Sequence, residues 1–104
     1  MAWAMLVVAG LLEIGWAIGL KLSGGFSKLW PSVATISVMA GSIFLLGLAL
    51  KTLPVGTAYA VWTGIGALGT AAVGMAFLGE PVTAGRIAGI ALIAGGIAVL
   101  KSAG

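Results

Sequence analysis

The chain has 104 residues, of which 62% are hydrophobic and only 7% charged, with a net charge of +3 and a mean hydropathy of +1.27. That balance excludes a soluble domain clothed in charge, and the few scattered cations exclude a nucleic-acid surface. The absence of Cys, His and Asp, with two acids in all, excludes disulfides, thiolate chemistry, metal clusters and acid-base pairs, so no enzyme and no cofactor is expected.

A chain of this length holds about four spans of roughly 20 residues. Apolar runs bounded by helix-end signals predict an all-α membrane protein, one domain over residues 1–104, with helices at roughly 3–20, 32–50, 57–78 and 84–100. Lys21 and Ser23-Gly24-Gly25 close the first run, and Pro31 suits the opening turn of the second. Lys51 to Gly56 separates the second from the third, with Thr57 as a candidate N-cap. Gly79-Glu80-Pro81 ends the third, and Thr83 is placed to cap the fourth. The first run is expected to be a span rather than a secretory signal, because no Lys or Arg precedes it and Glu13 interrupts it.

Glu13 dominates that first span. A carboxylate in hydrocarbon is costly unless it is protonated, paired or facing a wet cavity, so an intramembrane acid marks a functional site. It lies about ten residues into its helix, on the order of 15 Å deep, and no Lys or Arg lies at a matching depth. The neutralising partner is therefore expected to be a proton or a cationic substrate. Gly10 and Trp16 lie three residues before and after it and share its helical face, the glycine leaving room beside the acid. Ser42 reaches a similar depth from the second span.

On the third span Tyr59, Trp62, Thr63 and Gly66 form a stripe at helical spacing. Trp3 and Trp30 suit the membrane interface, whereas Trp16 and Trp62 lie deeper, where indoles either fill space or attract a cation. An acid, a hydroxyl, a phenol and two indoles make up what a cation pocket needs. Gly64, Gly66 and Gly69 predict close packing and a hinge, so that a bulkier residue at Gly66 is expected to arrest exchange while binding survives. On the fourth span Gly85-x-x-x-Gly89 and Gly95-Gly96 predict a helix-helix dimer interface.

The basic residues divide almost evenly between the two sides of a four-span protein. Lys51 and Lys101 fall with the N-terminus, and Lys21, Lys28 and Arg86 opposite, so the charge rule sets no strong orientation. Insertion both ways round allows an antiparallel dual-topology homodimer, which supplies from one sequence the inverted repeat that larger transporters encode twice.

The segments Leu12 to Ala17, Gly25 to Ser32 and Lys51 to Gly66 resemble the small multidrug resistance family from end to end. Trp16 and the run from Lys51 to Gly66 resemble its guanidinium-exporter subtype, where the exporters of polyaromatic cations usually have a small residue at the Trp16 position. Leu22 departs from the family pattern, standing where an aromatic residue is expected. The resemblance implies a bacterial inner-membrane antiporter that exchanges protons for guanidinium ion as an antiparallel homodimer. It implies that Glu13 binds both proton and substrate, that Ser42 and Trp16 hydrogen-bond or flank it, and that Tyr59 and Trp62 line the pocket. Other functions share these features and stay open at this point. They are a broad exporter of quaternary ammonium or aromatic cations, a non-transporting partner subunit of a heteromeric transporter, and a rotor-type proton-carrying subunit.

Overall fold

A computed structural model describes residues 1–103. Four helices follow one another: α1 (Ala2–Leu22), α2 (Leu29–Ala49), α3 (Val55–Phe77) and α4 (Ala84–Ala103). Each is long and apolar enough to cross a membrane, and intrahelical hydrogen bonding is what satisfies the backbone in hydrocarbon.

The first three helices begin earlier than the sequence predicts, α1 by a single residue. α2 starts at Leu29, with Lys28 as the extended N-cap. Pro31 therefore occupies the first turn, where its missing N–H would have lacked an intrahelical partner anyway. α3 starts at Val55 behind an extended Pro54, so Thr57 lies inside the first turn and is not the N-cap. Proline fixes a φ that suits a helix start, and here it displaces threonine from that role. Thr83 caps α4, its Oγ1 accepting the Arg86 N–H at 3.2 Å. Between α1 and α2, buried Ser23 organises the turn, donating to the Leu20 carbonyl and accepting the Phe26 N–H, both at 3.0 Å. Gly24 and Gly25 take the left-handed backbone that the reversal needs, at φ 61° and 68°.

Contacts at the glycines set the helix register. Gly10 faces Ile65, Gly66 faces Glu13 and Gly69 faces Ile14, so position numbers rise together and α1 runs parallel to α3. Gly19 against Thr35 and Gly41 against Leu12 run the other way, making α2 antiparallel to α1. α4 docks mainly on α3, with Ile93 and Ile97 over Gly64, and reaches α1 through Lys101 over the Trp3 ring. In lipid no hydrophobic force draws helices together, and close approach over small residues supplies the attraction. At Gly10 and Gly64 an added Cβ would fall 2.6 Å from Ile65 and 2.8 Å from Ile97 respectively, well inside contact distance.

The buried apolar residues are Leu6, Ala9, Leu46, Ala49, Ala58, Val61 and Trp62. They cluster where α1 and α3 begin and α2 ends, at the Met1 side of the bundle. The molecule measures 41 × 35 × 16 Å. α4 contributes no buried residue, and the faces left open are apolar.

Candidate functional site

Glu13 projects from α1 onto α3, and its carboxyl rests over Gly66, where a Cβ would collide with Oε1. The room beside the acid comes from Gly66 and not from Gly10, whose open side is filled by Ile65. The parallel register of α1 and α3 decides this, since it sets Glu13 level with Gly66. Gly64 and Gly69 have the same packing role beside Ile97 and Ile14, and α3 continues through all three as unbroken helix.

A groove of about 270 Å³ opens at the acid, walled by Glu13, Trp16, Ala17, Thr63, Gly66, Ala67 and Thr70. Three buried polar atoms lack a hydrogen-bond partner among the described residues: Glu13 Oε1, Trp16 Nε1 and Thr70 Oγ1. All three belong to residues of this one groove. Buried polar groups are ordinarily paired, and an unpaired one costs about 1–3 kcal/mol. Of the three, the Glu13 oxygen and the Thr70 hydroxyl can accept from a ligand that carries donors, whereas the Trp16 N–H can only donate.

Ser42, Tyr59, Trp62 and Gly10 stand outside the groove wall. Ser42 Oγ donates to the Ala9 carbonyl at 2.7 Å and accepts from Trp62 Nε1 at 3.0 Å. Its single proton is thus committed to α1 one helical turn before Glu13 rather than to the acid itself. Trp62 is buried and bridges α3 to α2 through this hydroxyl. Tyr59 packs beside it, ring centroids 5.6 Å apart and tilted by 58°, while remaining 57% exposed. The phenol is therefore open to a further partner. Thr63 lines the groove and donates its hydroxyl to the Tyr59 carbonyl at 2.7 Å, which leaves its lone pairs free.

Replacing Ser42 with Ala leaves the buried Trp62 N–H unpaired and removes a bond to Ala9. The expected cost is about 1–3 kcal/mol of stability, seen as a lower unfolding midpoint in detergent. An unchanged midpoint would mean that the three-helix bridge contributes nothing.

A larger groove of about 450 Å³ runs along Trp3, Val7, Val61, Ile65 and Ile97, on different faces of α1 and α3. Its only ionised lining group is Lys101, whose Nζ lies 5.3 Å from the Trp3 ring centroid. With no acid in its wall it is unsuited to a small cation, so size does not identify the site and the unpaired polar atoms do.

Thr70 is the site residue that sequence reasoning missed. A threonine within an apolar helix ordinarily returns its hydroxyl to the carbonyl four residues back, so position alone gave no signal. The i, i+4 spacing from Gly66 is visible in the sequence but acquires meaning only when Glu13 is known to rest on that glycine.

Fold and site together define a multi-pass membrane protein of four apolar helices with an acid and unpaired donors lining an intramembrane groove. A family model described as Small Multidrug Resistance protein matches residues 1–93, and the chain belongs to that family, whose members are multi-pass proteins of the bacterial inner membrane. It is 60% identical over 103 residues to a guanidinium exporter of Yersinia pestis, covering 99% of both chains. It is 57% identical over 101 residues to a guanidinium exporter of Escherichia coli strain K12, covering 97% of this chain and 96% of that one. A guanidinium exporter of Salmonella typhi is 54% identical over the same length and with the same coverage.

Proposed function

We propose that this chain is a proton-coupled antiporter that exports guanidinium ion as an antiparallel homodimer. The observation that carries the reading is that Glu13, Trp16 and Thr70 share one groove wall and each has a buried polar atom without a partner. Guanidinium is planar and charged, donates two parallel hydrogen bonds to one carboxylate, and stacks its faces on indole. Glu13 offers the acceptor fork and Trp16 the ring. In the unloaded anionic state the Trp16 N–H turns to the same carboxylate.

Antiport follows from competition for one group. Glu13 holds a proton or a cation but not both, and the unneutralised carboxylate is the state least able to cross between openings in hydrocarbon. Movement between openings uses the Gly64 to Gly69 segment of α3, where close helix packing over glycines permits small shifts. A broad exporter of quaternary ammonium ions fits less well, because such cations carry no N–H to satisfy the unpaired acceptors.

The dimer reading is supported by α4. A Cβ added at Gly85, Gly89, Gly95 or Gly96 would meet no atom of another element within 4 Å, and α4 contributes no buried residue. A second copy in the opposite orientation covers α4 and closes the groove. Gly89→Leu is expected to convert dimer to monomer, measured by counting subunits in single-molecule photobleaching. A dimer that survives unchanged would move the interface elsewhere.

The substrate is tested by transport currents on solid-supported membranes with guanidinium, methylguanidinium and a bulky aromatic cation. Guanidinium and its methyl derivative are expected to drive current. A preference for the aromatic ion would overturn the assignment.

A further inference from the structure

Five hydroxyls on α2 and α3 have defined partners. Ser32, Thr35 and Ser37 donate to the carbonyls of Lys28, Pro31 and Val33, Thr63 donates to that of Tyr59, and Ser42 donates across to Ala9. Thr70 Oγ1 departs from this pattern. It is buried without a partner, although in helical geometry the Gly66 carbonyl stands four residues back, as for its neighbours. The side chain lies in the groove wall with Glu13 and Trp16. The register that pairs Glu13 with Gly66 and Ile14 with Gly69 sets Thr70 about one turn beyond the acid, level with Trp16.

Guanidinium poses a problem that one carboxylate does not solve. Two of its N–H groups form the fork to Glu13, and the outward N–H groups still lose their water in a buried site, at a cost for each left unpaired. Trp16 cannot help, because an indole N–H only donates. A hydroxyl can accept. Thr63 has spent its proton on Tyr59 and presents lone pairs only, whereas Thr70 is free to accept from a cation or to donate to a carboxylate.

We propose that Thr70 is a substrate-binding residue that accepts an outward guanidinium N–H and so selects cations carrying N–H donors over fully alkylated ones. The proposal rests on the guanidinium reading above. In the loaded state the Thr70 oxygen accepts from the substrate while its proton turns to the Gly66 carbonyl. In the unloaded state the same hydroxyl donates to Glu13. A site built on N–H donors discriminates strongly, since an analogue without them leaves the buried acceptors unpaired.

The test compares native protein with Thr70→Val, which keeps the shape and removes the hydroxyl, and Thr70→Ser, which keeps the hydroxyl. Proton release on titration with guanidinium gives the half-saturating concentration. Val is expected to raise it about tenfold, as loss of a hydrogen bond to a charged group requires, while Ser stays within about twofold of native. Guanidinium's advantage over tetramethylammonium falls by the same factor in the Val variant. Thr70→Ala provides the same comparison if Val does not fold. A Val variant with native affinity, or Val and Ser impaired equally, overturns the role of Thr70. A native protein that releases no proton to guanidinium overturns the transport reading instead, so the two failures are distinct.

Discussion

Vesicles containing Glu13→Gln are expected to show no proton-driven guanidinium movement, a loss of about a hundredfold or more. The substitution preserves the shape that rests over Gly66, so helix packing survives and the loss reports on the carboxylate's charge, acceptors and proton rather than on packing. Glutamine offers one carbonyl where the acid offers two equivalent oxygens. Its NH₂ opposes the N–H groups of the cation, so the fork cannot form. Charge-assisted hydrogen bonds contribute about 1.5–3 kcal/mol each, and losing two corresponds to at least a hundredfold in affinity. Glutamine also has no titratable proton, so any residual binding is uncoupled. Normal accumulation driven by a pH gradient in Glu13→Gln vesicles would remove Glu13 from the coupling step.

Gly66→Ala is expected to weaken guanidinium binding about tenfold or more and to stop transport with it. A Cβ at this position would collide with the Glu13 carboxyl and lie 2.7 Å from its Cγ, so either the acid swings out of the groove or α1 and α3 separate. Both outcomes spoil the placement on which the fork depends. The structure thereby changes the expectation drawn from sequence, in which a bulkier residue here spares binding and only arrests exchange. Gly47→Ala is the control, because nothing lies within 4 Å of its Cβ position, and it should retain native binding. A Gly66→Ala protein with native affinity would show that the carboxyl does not need its present seat.

The four spans were legible because apolar runs of membrane length are interrupted by the few polar, Gly and Pro residues in the chain. What remained hidden at their edges was the detail of Pro31 and Pro54, since proline suits several positions in the first turn and does not mark one boundary. Glu13 and Trp16 were legible as one face because they belong to a single helix. Their seat on α3 was not, because it depends on the register between two helices, and Gly10 and Gly66 are equally good candidates until that register is known. Ser42 and Trp62 were each visible as deep polar-capable residues. Their hydrogen bond to one another, joining residues on α2 and α3 with the Ala9 carbonyl on α1, needs three helices in place. Thr70 was invisible for the opposite reason, since its sequence position suggested only a hydroxyl satisfied within its own helix.

The central claim is that one buried carboxyl exchanges its proton for a cation. Adding guanidinium to purified protein in weak buffer, with pH recorded, addresses this most directly. The expected result is acidification that saturates with guanidinium and vanishes in Glu13→Gln. Guanidinium binding that leaves the pH unchanged, or release that persists without the Glu13 carboxyl, would contradict it.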